Sequence, residues 1–300
     1  MRKEIVARRG GFIPRLLLTT LACLTGAGFP QSAKAEKPYF VTYDDQMEEP
    51  GNLELSFNPV VGLPQRSRAF VGSWTEFEYG AKGWWTTEFY LDSQSTRRES
   101  TIFTGFRWEN RFRPLAGHHW INPVLYVEFE DINGADKTFL EVVNHDSVDD
   151  LGAPNHSART EKKREVEAKL ILSSNYKGWN VSENFIGEKN LTNVPWEFGY
   201  AAGVSRPLAL AASPAYCTFC RENFRAGAEI YGGLGDWHRF GFRGTSHYLG
   251  PLLTWELPGG ASFRISPTFG LNRNSARLLV RFGVSYELPR FDRQVRRWFR

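Results

Sequence analysis

Residues 278–288 read LLVRFGVSYEL, and this stretch decides the fold. Apolar side chains stand at every second position from Val280 to Tyr286, and the positions between them are Arg281, Gly283 and Ser285. Successive side chains of a strand point to opposite faces of a sheet, so this alternation predicts a β-strand with one apolar face and one polar face.

The same period of two recurs along most of the chain. Leu53, Leu55 and Phe57 alternate with polar residues near its start, and similar runs follow up to residue 288. Segments of about 9–14 residues suit tilted strands that cross a bilayer. We predict twelve strands, over residues 52–60, 68–80, 82–93, 99–112, 118–131, 163–176, 178–187, 195–206, 222–233, 246–257, 260–271 and 276–288.

The overall composition narrows the fold class. Aromatic residues make up 15% of the 300 residues, glycine contributes 28, and the mean hydropathy is −0.41. A chain so rich in aromatic side chains is not disordered. The sequence has no apolar run of about 18 residues after its N-terminal region, which excludes a bundle of transmembrane helices. A soluble β-rich fold and a membrane β-barrel both remain compatible with these values.

The connections between the predicted strands favour the barrel. Residues 79–82, 176–178 and 258–260 read as tight turns, whereas 131–162 is long, polar and charged. Short turns on one side, longer loops on the other and an even strand count are typical of outer-membrane barrels. We therefore predict an all-β fold: a transmembrane antiparallel up-and-down β-barrel of about 12 strands, located in the outer membrane. A soluble barrel or sandwich, which shows similar alternation, is the alternative.

Six tryptophans support the membrane barrel. All of them fall near strand ends that adjoin the predicted short turns, where a periplasmic girdle of aromatic side chains is expected. The alternative is that they fill the core of a soluble sandwich. These residues are Trp84, Trp85, Trp108, Trp120, Trp179 and Trp255.

The first 35 residues have the layout of a secretory signal peptide. Five basic residues among the first 15 precede an apolar run over 16–29, and Ala33-Lys34-Ala35 offers a cleavage site. We predict that residues 1–35 are removed on export. A twin-arginine signal and a lipoprotein cysteine at Cys23 are weaker alternatives, because the first route carries folded proteins and Thr20 departs from the lipoprotein pattern.

The basic charge of the chain lies at its two ends. The formal charge is +4, to which the predicted leader contributes +5 and residues 289–300 contribute +4, so the body between them carries −5. Since the body has no excess of basic residues, we expect no nucleic-acid partner.

The residues after the leader resemble a known family. The sequence PYFVTYDD at 38–45 is followed by EPGNLEL at 49–55. This looks like the N-terminus of Gram-negative outer-membrane transporters of the MetA-pathway, phenol-degradation type, in which a VTDD element leads through a Gly to a first strand with an alternating Glu. Tyr43 interrupts that element here. The resemblance implies an outer-membrane channel or transporter and supplies no catalytic residues.

The polar phase of the strands predicts a carboxylate-rich lumen. Rings of like charge select ions in pores, so an excess of Glu favours cations or polyhydroxylated neutral solutes. We predict a narrow pore for small solutes; the alternative is that Glu and Arg side chains pair with one another and close the lumen. The candidate pore-lining residues are Glu76, Glu78, Glu88, Arg107, Glu109, Glu128, Glu130, Glu165, Glu167, Lys169, Glu197, Arg225, Glu229, Glu256, Arg264 and Arg281.

Two terminal segments flank the predicted barrel of residues 52–288. The acidic segment 36–51 and the basic tail 289–300 are both expected on the periplasmic side. Apolar residues near helical spacing predict a short amphipathic helix in the tail, which binds anionic headgroups, pairs with 36–51 or caps the lumen; a frayed terminus is the alternative. Within the barrel, Glu183 shares the apolar phase of segment 178–187, which predicts a bulge or a shifted register there.

Cys217 and Cys220 are the two cysteines left after the predicted processing. Neither a haem-attachment motif nor a second cysteine or histidine pair for zinc accompanies them. In an oxidising compartment we expect them to form a local disulfide. We therefore predict no cofactor and no metal.

A phospholipase-like outer-membrane enzyme is the main functional alternative. Ser246-His247 and His156-Ser157 are adjacent pairs, but neighbours on a strand point to opposite faces, so we predict no enzymatic activity. A structural or adhesive surface barrel would rest on the charged residues of 132–161. As partners we expect the outer-membrane bilayer and lipopolysaccharide, the barrel-assembly machinery for insertion, and a small solute that the sequence does not identify.

Overall fold

The computed structural model describes residues 37–138, 143, 151–192, 194–211 and 217–298. They form a closed barrel in which each strand is antiparallel to its neighbours along the chain and the first strand pairs with the last. The strands are β1(Leu53–Leu63), β2(Phe70–Lys82), β3(Trp85–Thr96), β4(Thr101–Phe112), β5(Asn122–Asn133), β6(Lys162–Tyr176), β7(Trp179–Asn190), β8(Glu197–Pro207), β9(Phe224–Asp236), β10(His247–Glu256), β11(Ala261–Gly270) and β12(Leu278–Leu288).

This architecture confirms the predicted all-β, up-and-down barrel of twelve strands. Every predicted segment overlaps one observed strand, and their ends differ by four residues or fewer. The decisive segment 276–288 is β12, which runs from Leu278 to Leu288 and closes the barrel against β1. The predicted leader, residues 1–35, lies outside the described residues.

The two faces of the barrel wall differ sharply in polarity. Large apolar side chains on the outward face are exposed, as expected where a wall faces lipid, and examples are Phe57, Phe89, Leu125, Val181, Phe185, Leu253 and Phe282. The inward positions carry buried polar and charged side chains. Among the described residues, no helix combines the length and apolar character that a membrane crossing requires.

The register of β7 corrects one prediction. This strand pairs with β6 and β8 without any shift, and Glu183 is exposed on the outward face between Val181 and Phe185. The expected bulge is therefore absent from this strand, because the period of two runs through it unbroken. Glu183 lies four residues from the strand end at Trp179, and the cost of a charge on the lipid face falls towards the interface.

The connections depart in part from the predicted pattern. The end of the barrel that carries both termini, here called the periplasmic end, has tight turns at 83–84, 177–178 and 257–260. It also has two longer connections, 113–121 and 208–223, the second of which contains a short 3-10 helix, Arg221–Asn223. At the opposite, outer end, the β5–β6 connection spans 134–161 and includes α1(Asn155–Ala158).

The C-terminal tail forms a helix at the periplasmic end. This helix, α2(Phe291–Trp298), follows β12 directly, and its Asp292 backbone nitrogen donates to the carbonyl oxygen of Gly51 at 3.1 Å. The backbone nitrogen of Arg290 donates to the side chain of Asn52 at 2.9 Å. The tail is thus held next to the residues that lead into β1.

Candidate functional site: the barrel lumen

Residues 37–49, here called the lumenal segment, lie inside the barrel. Tyr39, Val41, Asp44 and Glu48 are all buried, with 2–3% of their surface exposed. The sequence predicts a periplasmic location for residues 36–51, and the structure corrects this for the described part of the segment. The physical reason is that the aromatic and aliphatic side chains at 39–41 are removed from water within the lumen.

The wall holds the backbone of the lumenal segment through polar side chains. One carboxylate oxygen of Glu229 accepts from the backbone nitrogens of Val41 at 3.0 Å and Thr42 at 3.1 Å. Asn184 accepts from the backbone nitrogen of Tyr43 at 2.6 Å and donates to its carbonyl oxygen at 2.8 Å. Since a buried backbone without partners is costly, these inward residues take the place of a neighbouring strand.

A guanidinium group supports the start of the segment in the same way. Arg264 on β11 donates to the carbonyl oxygen of Tyr39 at 2.8 Å and to that of Lys37 at 3.2 Å. The hydroxyl of Tyr39 donates to the side chain of Asn180 on β7 at 2.7 Å. The segment is therefore fixed between β7 and β11, across the lumen.

Lys37 brings a positive charge into a group of wall carboxylates. Its Nζ atom lies 2.7 Å from Glu78, 3.0 Å from Glu88 and 3.3 Å from Glu76. Arg111 approaches the same group from β4, at 2.5 Å from Glu78 and in contact with Glu88. Three buried carboxylates are thus compensated by two cations: Arg111 from the wall and Lys37 from the lumenal segment.

Tyr43 is the aromatic anchor of the segment. Its hydroxyl donates to Glu109 at 2.8 Å, and its ring meets that of Tyr126 edge to face at 5.1 Å between centroids. The Nζ atom of Lys169 lies 4.7 Å from the centroid of Tyr43 and 4.1 Å from that of Tyr126, within the range of cation–π attraction. Lys169 is also paired with Glu167 at 2.7 Å.

A second charged group, nearer the outer end, surrounds Arg107. This guanidinium lies 2.7 Å from Asp92, 3.3 Å from Glu130 and 3.2 Å from Asp136. Asp136 belongs to the β5–β6 connection, so this ion pair ties that connection to the inner wall. The neighbouring Lys137 is also buried and donates to Thr96 at 3.0 Å.

Apolar side chains fill part of the lumen beside these two charged groups. A buried cluster combines residues of the wall, of the lumenal segment and of the β5–β6 connection: Phe40, Val41, Val60, Phe70, Trp74, Tyr90, Val143, Leu151, Ile186, Ala201, Tyr231, Tyr248, Ala276 and Leu279. The cavity beside Lys37, Phe40, Trp74 and Arg264 measures only ≈ 30 Å³, room for very few water molecules. The described residues thus show an occupied lumen.

The predicted pore-lining residues all lie on inward positions of the wall. Thirteen of the sixteen are buried, and Glu197, Arg225 and Glu256 are partly exposed. The candidate set lacks Asp92, Arg111 and Glu188, which share the same alternating phase and could have been found from it. It also lacks Lys37 and Asp136, which lie outside the strands and carry no periodic signal.

Two groups of three carboxylates come close enough together to hold a metal ion, with ligand atoms within 4.8 Å of one another. Glu76, Glu78 and Glu88 surround Lys37, as described above. Glu128, Glu130 and Glu167 lie beside Arg107 and Lys169. In both groups the carboxylates are paired with the protein's own cations.

The cysteine pair and the two adjacent serine–histidine pairs make contacts that stabilise the local structure. Cys217 and Cys220 are joined by a disulfide in the 208–223 connection. The hydroxyl of Ser246 donates to the carbonyl oxygen of Asn274 at 2.7 Å, and that of Ser157 donates to a backbone carbonyl of its own turn. In both adjacent pairs the serine hydroxyl donates to a backbone carbonyl oxygen.

The imidazole of His247 is on the outer face of the wall and is covered. It lies 3.1 Å from the hydroxyl of Tyr200 and 3.0 Å from that of Thr245, with 8% of the residue exposed. Its polar neighbours are these hydroxyl groups and the carbonyl oxygen of Phe242 at 3.2 Å, in a shielded position beneath the β9–β10 connection.

Comparison with known proteins finds similar structures but no similar sequence. No known family model matches the sequence, and no curated protein matches it. An outer membrane channel from Pseudomonas putida F1 superimposes with a TM-score of 0.53 at 7% identity, over 82% of this chain and 98% of that one. The KdgM porin gives a TM-score of 0.46 at 6% identity, over 78% and 98%.

LpxR from Salmonella typhimurium is a further structural neighbour, with a TM-score of 0.42 at 12% identity, over 78% of this chain and 99% of that one. At such identities the likeness is one of fold. The Pseudomonas putida protein is an outer membrane channel, and this chain shares its fold, a closed even-stranded barrel with an apolar outer face. We conclude that the protein has the fold of an outer-membrane β-barrel.

Proposed function

We propose that this barrel is an outer-membrane channel for small solutes, closed in the described state by the lumenal segment and the β5–β6 connection. One observation carries the proposal: the inward wall holds many buried polar and charged side chains, although apolar packing alone would suffice to fill a permanently closed barrel. Buried side chains on the strands include eleven carboxylates and five basic groups. Such a wall suits a water-filled passage once its contents move.

The lumenal segment has the properties of a movable part. It precedes β1, and its hydrogen bonds to Glu229, Asn184 and Arg264 are made with side chains of the wall rather than with a strand backbone. Its one bridge to a strand joins Pro50, just beyond its end, to Gly80. Because polar contacts can be exchanged for water when the lumen hydrates, the segment can leave without exposing the outer wall.

The charge that remains after the segment leaves sets the solute class. Lys37 leaves with the segment, so Glu76, Glu78 and Glu88 then face the passage with Arg111 as their nearest cation. Carboxylate excess favours cations and polyhydroxylated neutral solutes over anions. A twelve-stranded barrel is narrower than a porin of 16–18 strands, which restricts passage to small molecules.

The alternatives have less support. A lipid-modifying enzyme would need a serine activated by a histidine, and the hydroxyl of Ser246 donates to the backbone carbonyl oxygen of Asn274. A surface adhesin would project its long connection outward, whereas the described part of the β5–β6 connection places Ala135, Lys137 and Asn155 in buried positions.

Planar-bilayer conductance of the mature protein and of a variant that lacks residues 37–46 tests the proposal. We expect the full-length protein to be mostly closed and the deletion variant to conduct steadily with a preference for cations. A variant that lacks residues 291–300 is the control and should stay closed. A folded deletion variant that does not conduct would refute the channel, and anion selectivity would refute the carboxylate-based mechanism.

A further inference from the structure

Three neighbouring connections at the outer end are basic and contain no acidic residue. These are β1–β2 (64–69), β9–β10 (237–246) and β11–β12 (271–277). Five exposed arginines, here called the arginine arc, lie on them: Arg66, Arg239, Arg243, Arg273 and Arg277. None of the five forms an ion pair with a carboxylate among the described residues. The sixth, Arg68, is paired with Glu99 and is therefore excluded.

Hydrogen bonds join the three connections into one surface. The side chain of Asn272 donates to the carbonyl oxygen of Thr245 at 2.7 Å, which links β11–β12 to β9–β10. The side chain of Gln65 donates to the carbonyl oxygen of Ser275 at 3.3 Å, which links β1–β2 to β11–β12. The arc therefore follows the rim over neighbouring strands of the barrel.

The β9–β10 connection adds an apolar surface to the outer wall. Its rings pack on outward residues of β8: Trp237 and Phe240 lie 6.1 and 5.8 Å from Phe198, and Phe242 lies 6.0 Å from Tyr200, between centroids. Trp237, Phe240 and Phe242, here called the aromatic patch, are nevertheless 71, 67 and 65% exposed.

A glycine in β9 provides the space that the side chains beneath the β9–β10 connection need. A Cβ atom on Gly232 would lie 2.1 Å from the Nδ1 atom of His247, so only glycine allows the imidazole to lie flat against the wall. Phe242 then covers that imidazole at 5.6 Å between centroids. The aromatic patch is thus held against the outer wall by specific packing.

We propose that the arginine arc and the aromatic patch together bind a phosphorylated glycolipid of the outer leaflet. Its phosphates would bind the arc, and its acyl chains would lie against the patch below. Arginine suits this role because its planar guanidinium binds phosphate oxygens in pairs. The combination of exposed cations on the rim connections and exposed rings that pack on the outer wall matches a lipid with an anionic head and apolar tails. This inference rests on outer-membrane location and does not depend on the proposed channel activity.

Binding of purified bis-phosphorylated lipid A to the mature protein in detergent, measured by native mass spectrometry, tests the inference. The arc variant carries Arg239→Gln, Arg243→Gln, Arg273→Gln and Arg277→Gln. A basic residue near an anionic lipid surface contributes roughly a fivefold change in affinity, so we expect this variant to bind at least about tenfold more weakly. The control carries Arg293→Gln, Arg296→Gln and Arg297→Gln on α2, at the other end, and should bind as the parent does.

A second variant tests the apolar half of the surface. Trp237→Ser, Phe240→Ser and Phe242→Ser should weaken binding of lipid A while leaving the response to inorganic phosphate unchanged. If the arc variant binds lipid A as the parent does, or if dephosphorylated lipid A binds equally well, the inference is wrong. Equal affinity for a soluble acidic polysaccharide would also overturn it. Should the four-fold variant not fold, the single variants Arg239→Gln and Arg243→Gln give the same comparison.

Discussion

The Nζ atom of Lys37 lies 3.0 Å from each carboxylate oxygen of Glu88. A residue that precedes the barrel in sequence thereby neutralises a carboxylate of β3 that is itself buried. Removal of one partner from a buried charged group leaves the other uncompensated, which costs about 3–5 kcal/mol. This contact is therefore expected to contribute strongly to the closed state.

The variant Lys37→Gln should open the channel. Loss of the ammonium leaves Glu76, Glu78 and Glu88 repelling one another around a neutral side chain, and about 3 kcal/mol in favour of release would raise the open-to-closed ratio roughly a hundredfold. Single-channel recordings measure that ratio. Lys82→Gln, at an exposed site on β2, is the matched control and should remain closed. Identical recordings from the two variants would contradict the role of Lys37.

A steric change in the wall should have the same effect without altering the segment. A Cβ atom on Gly203 would lie 2.4 Å from the ring of Tyr39, so Gly203→Val should displace that ring at a cost of about 1–3 kcal/mol. We expect increased conductance, measured as above. Gly187→Ala is the control, because its Cβ would meet Phe198 at an ordinary 3.7 Å. If the Gly203→Val channel stays closed, closure does not depend on the packing of Tyr39 against β8.

The alternating pattern predicts which strand residues point into the barrel, but it does not predict which other segments fill the lumen. Arg107 and Glu109 are placed correctly by the period of two, because a closed barrel converts sequence phase directly into an inward or outward direction. The lumenal segment has no such period, and its partners Glu229, Asn184 and Arg264 come from three strands distant in sequence. A single lysine beside a predicted cleavage site gives no sign that it will be buried. The burial of Ala135 and Lys137 in the β5–β6 connection cannot be seen in the sequence for the same reason.

Closure should depend on pH through Asp44. Burial raises the pKa of this carboxyl from 3.8 to about 6, against the opposing effects of its hydrogen bond from Gln46 and of the nearby Arg111 and Arg225. The docked segment therefore favours the protonated acid. Its contribution to closure is complete below about pH 4 and is lost as the pH rises through 6, by at most about 3 kcal/mol.

Conductance measured between pH 4 and pH 7 should rise with pH, and Asp44→Asn should reduce that rise. The effect of Asp44 is the difference in this rise between the parent protein and the Asp44→Asn variant, because other carboxylates titrate in both. Asn keeps the oxygen that accepts from the Gln46 backbone nitrogen at 3.0 Å. Parallel pH profiles for the two proteins would exclude Asp44 as the titrating group.

The group around Arg107 should dominate the stability of the outer half. Arg107→Met leaves Asp92, Glu130 and Asp136 without their shared cation, and we expect the free energy of unfolding to fall by about 3–5 kcal/mol. Arg68→Met, which breaks the exposed pair with Glu99, should cost about 1 kcal/mol or less. Urea unfolding in detergent, followed by gel mobility, compares them. Equal losses would show that the buried group adds nothing beyond a surface pair.

Thiol labelling tests the disulfide and the predicted leader together. The denatured but unreduced protein should take up no maleimide, because Cys217 and Cys220 are joined and Cys23 is removed with residues 1–35. Reduction should then allow two labels. One label before reduction would show that the leader is retained, and two or more would show that the cysteine pair is free.

The pairing of β1 with β12 has a consequence for how the chain folds. Leu53 meets Leu288, so the last seam of the wall joins strands from the two extremes of the barrel sequence and cannot form until all twelve strands are present. Folds dominated by such distant pairings form slowly. The lumenal segment adjoins β1 at this seam, where Asn52 contacts Glu287. Encapsulation of the segment and completion of the wall thus become linked late steps of assembly, and the protein is expected to emerge from folding already closed.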